Sequence, residues 1–130
     1  MKKILIVEDE TAMAEVLRDE FALHQFEIVV AKNGEEAMKK LHSAKPDFVL
    51  LDLLLPKKDG FTVLKEMKAN DELRDIPVVV LSNLGQDDDI KLAISLGAAD
   101  YFVKAQHPIK EIIEKVQKYM VQGTIHPKHS

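Results

Sequence analysis

Phe48-Val49-Leu50-Leu51-Asp52 is a short apolar run that stops on an acid. No residue in it alternates with a polar one. A strand with that pattern is covered on both faces, as strands of parallel sheets are. Pro46, just ahead, ends whatever precedes it. The same design recurs along the chain. Lys3 to Val7 runs into Glu8-Asp9, and Glu27 to Ala31 follows. Val78 to Leu81, after Pro77, runs into Ser82, and Ala99 to Val103 runs into Lys104.

Between these runs lie segments of helical spacing. Met13, Val16, Leu17 and Phe21 share a face in the first. Asn33 is a candidate N-cap for the second, where Ala37 and Leu41 share a face. Asp59-Gly60 opens the third, which repeats through Phe61, Leu64 and Met67. Ile90, Ala93 and Ile94 align in the fourth, with Gly97 as its C′ stop. Pro108 sits at the start of the fifth, striped by Ile109, Ile112, Ile113, Val116 and Met120. Strict alternation of strand and helix predicts an α/β fold. The expected form is a doubly wound, five-stranded parallel sheet, flavodoxin-like in strand order 2-1-3-4-5, with five helices on its two faces. Residues 1–122 read as one domain and 123–130 as a short C-terminal tail. His126 and His129 in that tail are read as solvent residues, since no third metal ligand is near in sequence.

Composition narrows the function. The chain has 130 residues, enough for one domain with a sizeable core. It has no Cys, so disulfides and thiolate metal sites are excluded. The net charge of -4 is spread along the chain without a basic stripe, so direct nucleic-acid binding has no support. The apolar run after Met1-Lys2-Lys3 ends at Glu8, too soon for a signal peptide. No stretch approaches the roughly 20 apolar residues of a membrane span. The chain reads as soluble and cytoplasmic, with no membrane partner.

In open α/β sheets, sites form beyond the carboxyl ends of the strands, where the strand order reverses. Glu8-Asp9, Asp52, Ser82 and Lys104 all fall at that edge. Each has an ordinary explanation alone: a helix cap for Asp9, a turn residue for Asp52 or Ser82, a surface charge for Glu8 or Lys104. Together they make a pocket. With strands one and three adjacent, Glu8, Asp9 and Asp52 crowd, and a cation must offset their repulsion. Oxygen ligands without His or Cys suit Mg²⁺ or Mn²⁺. Lys104 adds a fixed positive charge and Ser82 a hydroxyl. Such a set can stabilise a transferring phosphoryl group, with the Asp itself as nucleophile.

These residues resemble the response-regulator receiver domain of two-component signalling, including its stand-alone chemotaxis-regulator type. The likeness rests on four motifs in order: Ile4-Leu5-Ile6-Val7-Glu8-Asp9-Glu10, Asp47 to Pro56 with Asp59-Gly60, Ile76 to Ser82, and Gly97 to Lys104. The resemblance implies that Asp52 is the phosphoacceptor. It implies that Glu8, Asp9, Asp52 and the backbone carbonyl of Leu54 hold Mg²⁺, with Mn²⁺ as a substitute. Lys104 would pair with one phosphate oxygen and Ser82 with another. Tyr101 would then turn inward as Ser82 moves, changing the surface of the fourth helix, fifth strand and fifth helix. The implied donor is a sensor histidine kinase, a phosphotransfer protein or a small phosphodonor, and the implied target is another protein. A phosphorylation-dependent homodimer is left open. The only chemistry implied is the domain's own phosphorylation and dephosphorylation, so it is a switch and not a metabolic enzyme.

Departures from the family pattern carry their own expectations. Ala105 follows Lys104 where the family usually has a cis Pro, so a cis bond is not expected there. Asn83 stands where a small residue is usual. Leu54 and Leu84 flank the site entrance and cannot position an attacking water, which predicts slow self-dephosphorylation. Other readings fit less well. A haloacid-dehalogenase-type phosphatase needs a second Asp where Leu54 stands. A flavodoxin needs a phosphate loop where Glu8-Asp9-Glu10 would repel phosphate. A receiver used only for docking would not need Asp52, Lys104 and the acidic pair together.

Overall fold

The computed structural model describes residues 1–122, and the tail with His126 and His129 lies outside them. Strands and helices alternate throughout. They are β1 (Lys3–Val7), α1 (Thr11–Ala22), β2 (Glu27–Ala31), α2 (Gly34–Ala44), β3 (Phe48–Leu51), α3 (Gly60–Ala69), β4 (Val78–Ser82), α4 (Asp87–Ser95), β5 (Asp100–Val103) and α5 (Ile109–Gln122). The sheet is parallel, in the order β2-β1-β3-β4-β5. The expected topology is therefore the observed one.

The continuous apolar strands are explained by two cores, one on each face. Leu5, Val7, Val49 and Leu51 point into the core beneath α2, α3 and α4. Ile4, Ile6, Phe48 and Leu50 point into the core beneath α1 and α5. Successive residues of one strand thus serve opposite cores, as strand geometry requires.

Helix ends follow local chemistry. Asn33 Oδ1 accepts from the Glu36 N–H at 2.8 Å, and Asp59 Oδ1 accepts from the Thr62 N–H at 2.9 Å. At the end of α4, Gly97 takes φ 111°. Its N–H donates to Ile94 and that of Ala98 to Ala93, each at 3.0 Å, the paired bonds of a Schellman motif. Pro108 precedes α5, and its carbonyl accepts from Glu111 and Ile112.

Three details differ from the sequence-based expectation. β4 runs one residue further, because Ser82 still pairs with Val103. β5 starts at Asp100, not Ala99. Val16, assigned by spacing to the buried face of α1, is 44% exposed, since α1 buries Ala14, Leu17 and Phe21 instead. Among the described residues no helix is long and apolar enough to cross a membrane.

Candidate functional site

The sheet's backbone sets the site before any side chain contributes. The Glu8 N–H donates to the Ala31 carbonyl at 2.9 Å, Asp52 to Val7 at 3.0 Å, and Lys104 to Ser82 at 2.9 Å. Each residue thus sits one ladder step beyond its strand, and all lie at one edge. Glycines close the frame. A Cβ on Gly60 would come within 2.4 Å of the Asp52 carbonyl oxygen, so only glycine lets α3 start this close.

The side chains then converge. Glu8, Asp52 and Ser82 are buried, and Asp9 is exposed. Lys104 Nζ lies 2.5 Å from Glu8 Oε1, 2.9 Å from Asp52 Oδ2 and 3.3 Å from Glu10 Oε1. The second oxygen of each buried acid meets a backbone donor. The Leu54 N–H donates to Asp52 Oδ1 at 3.1 Å, and that of Glu10 to Glu8 Oε2 at 3.3 Å. Burial pushes the Glu8 carboxyl up to about 7; the hydrogen bond from Lys104 opposes the shift and the Asp52 charge adds to it. Burial alone would lower the Lys104 ammonium, but its bonds to Glu8 and Asp52 outweigh that and hold it above its ordinary value.

Glu8, Asp9 and Asp52 each offer an oxygen, all within 4.8 Å of one another. The donors are hard oxygens with one carboxylate open to solvent. That fits a divalent cation that keeps part of its water shell, such as Mg²⁺ or Mn²⁺. Both would supply charge neutralisation for an incoming phosphoryl group.

On the other side of Ser82 stands Tyr101. Its ring is half-buried against the core under α2, α3 and α4, and its hydroxyl donates to the Leu84 carbonyl. Burial raises this phenol to about 12, the charges of Asp89 and Asp52 add to the rise, and a hydrogen bond with Ser82 opposes it. Ser82 Oγ also accepts from the Leu84 N–H at 3.4 Å. Leu54 is 50% exposed at the entrance, Leu84 is partly buried and Asn83 is exposed. Among the described residues no peptide bond is cis, so Ala105 follows Lys104 in trans.

Sequence reasoning left Glu10 and Gly60 out of the site. Glu10 reaches Lys104 across 94 residues of chain, which no local pattern announces. Gly60 was legible as a helix opener and motif residue beside Asp59, but its approach to the Asp52 main chain was not.

A family model described as the response regulator receiver domain matches residues 4–117. This chain belongs to the response regulator receiver domain family. Such receivers work in two-component signalling, accept a phosphoryl group on an Asp, bind a divalent metal in an acidic pocket, and meet histidine kinases and downstream effectors. The receiver is 33% identical over 124 residues to the alkaline phosphatase synthesis transcriptional regulatory protein PhoP of Bacillus subtilis, covering 95% of this chain and 50% of the relative. The chain spans about half the length of the curated relatives it matches. Among solved structures it is similar to the phosphorylated cyanobacterial phytochrome response regulator RcpA, at 34% identity and a TM-score of 0.84, covering 98% of this chain and 99% of that one. It is also similar to the Mn²⁺-bound form of response regulator Rcp1, at 34% identity and a TM-score of 0.79, covering 92% and 91%.

Proposed function

We propose that Asp52 accepts the phosphoryl group, that Glu8, Asp9, Asp52 and the Leu54 carbonyl hold Mg²⁺, and that Lys104 and Ser82 bind the phosphoryl oxygens. The observation that carries this reading is Lys104 Nζ at 2.9 Å from Asp52 Oδ2, inside a pocket whose acids can share a cation. An Asp52 oxygen forms the new bond to phosphorus as the bond to the leaving group breaks. The leaving group is the imidazole of a phosphohistidine or the acetate of acetyl phosphate. Lys104 neutralises charge on the transferred oxygens, and the Leu54 N–H holds the other Asp52 oxygen in line. The metal, when bound, offsets the remaining negative charge.

Residues 1–122 act as the switch domain, in the cytoplasm where ATP-fuelled kinases supply phosphoryl groups. Ser82 and Tyr101 carry the signal to the face of α4, β5 and α5, the docking surface for a protein target. Half-buried Ile90 and Ile94, one turn apart on α4, give that face apolar area for a target or a second copy. Incubation with acetyl phosphate and Mg²⁺ should add one phosphate to the intact mass, and Asp52→Ala should abolish the adduct. An adduct that persists in the variant identifies another nucleophile. Light scattering on the same samples reports dimerisation; an unchanged mass rejects it.

The entrance residues predict the lifetime. Leu54 and Leu84 offer no group to orient an attacking water, so the phosphorylated form should decay slowly once donor is removed. Leu54→Asn should quicken the decay. Rapid loss from the unaltered protein refutes this account.

A further inference from the structure

We propose that Glu10 selects phosphoryl donors by charge: held against Lys104 at the pocket mouth, it disfavours dianionic small donors relative to less charged ones. The inference rests on Asp52 being the acceptor.

Glu10 occupies the N-cap position of α1, where a carboxylate would ordinarily accept from the helix N–H groups. Its side chain makes no such bond. Its Oε1 lies instead 3.3 Å from Lys104 Nζ. An ammonium has three protons to donate. Here its carboxylate partners are Glu8, Asp52 and Glu10. The first two are buried, whereas the Glu10 side chain is 61% exposed. A donor arriving from solvent can therefore displace only the Glu10 contact without entering the buried pair. Its phosphoryl oxygen needs the Lys104 N–H that Glu10 accepts, and it meets the Glu10 charge while taking that place. Leu54, also exposed at the entrance, brings no charge to offset that repulsion.

Two donors separate charge from shape. Acetyl phosphate is a dianion at pH 7; Asp52 displaces acetate from it. Phosphoramidate is a monoanion with a protonated nitrogen; Asp52 displaces neutral ammonia. In both, one bond to phosphorus forms, one breaks, and the phosphoryl group ends on the Asp52 oxygen.

The test follows phosphorylation of the full chain by each donor, with Mg²⁺ saturating for every variant. Glu10→Gln keeps the shape and removes the charge. It should raise the acetyl phosphate rate about threefold, the scale of an exposed charge contact. The phosphoramidate rate should rise distinctly less, and the difference should shrink in high salt. Glu10→Lys should push the donor ratio further the same way. A merely structural role would move both donors equally and ignore salt. An unchanged donor ratio in both variants overturns the role of Glu10 while leaving Asp52 as acceptor. Failure of the unaltered protein to take phosphoryl from either donor overturns both.

Discussion

Lys104→Ala is expected to destabilise the metal-free protein by about 3–5 kcal/mol and to slow phosphorylation by roughly a hundredfold or more. The side chain is only 5% exposed and is the cation between Glu8 and Asp52. Removing it leaves two buried carboxylates facing each other without a counter-charge. The loss should depend on pH. Glu8 already titrates near 7 in the fold, above its ordinary 4.5, chiefly through burial, and Lys104 holds that value down. A carboxyl raised in the folded state contributes stability that is fully present below its unfolded value and lost as pH rises through its folded value. Near pH 5 Glu8 is protonated and tolerates the deletion better. Near pH 8 it is charged, and the gap between variant and unaltered protein should be widest. Mg²⁺ should restore much of the stability by neutralising the acids. It should not restore the rate, because the phosphoryl oxygens have still lost their Lys104 contact. Thermal melts with chelator at both pH values, then with Mg²⁺, test this. Equal melting temperatures in chelator at pH 8 would reject Lys104 as the charge that holds the pocket together.

Gly60→Ala should cost about 3 kcal/mol and reduce phosphorylation as well. The added methyl would lie 2.4 Å from the Asp52 carbonyl oxygen and 2.5 Å from Leu53 Cα. Both are main-chain atoms at the end of a buried strand, so neither can yield by rotating a side chain. The Gly60 N–H also donates to the Leu53 carbonyl at 3.0 Å, which pins α3 to that point. Relief requires α3 or the Asp52 backbone to move. A shift of about 1 Å at a reacting group can cost on the order of a hundredfold in rate. Gly85→Ala is the control. There the nearest atoms are Val103 methyl carbons, at 3.3 and 3.5 Å, which can adjust. Its cost should stay under about 1 kcal/mol. A Gly60→Ala protein that melts and phosphorylates like the Gly85→Ala protein would mean that the close approach is not needed.

Much of the site was legible because parallel sheets make sequence position informative. A strand buried on both faces leaves an uninterrupted apolar run, and the residue that ends it lands at the carboxyl edge. Glu8, Asp9, Asp52, Ser82 and Lys104 were all named by that rule; the side chains of Glu8, Asp9, Asp52 and Lys104 do meet, while Ser82 ends the strand beside Val103 and its hydroxyl accepts from the Leu84 N–H. Helix caps were legible for the same local reason, since Asn33 and Asp59 bond within three residues of themselves. Amphipathic spacing was less reliable. The pattern that placed Val16 on the buried face of α1 could not tell the centre of the stripe from its margin.

What the amino-acid sequence determined by itself is the order of elements, the strand runs and the identity of the residues at their ends, because backbone pairing and short-range hydrogen bonds act over a few residues. Tertiary structure alone decided which partners those residues meet. Glu10 turns from its own helix to Lys104, the Tyr101 hydroxyl finds the Leu84 carbonyl, and Gly60 presses against the Asp52 main chain. Each contact joins segments from separate strands and loops. Their distance and direction follow from how the sheet stacks its strand ends, and no local pattern records them.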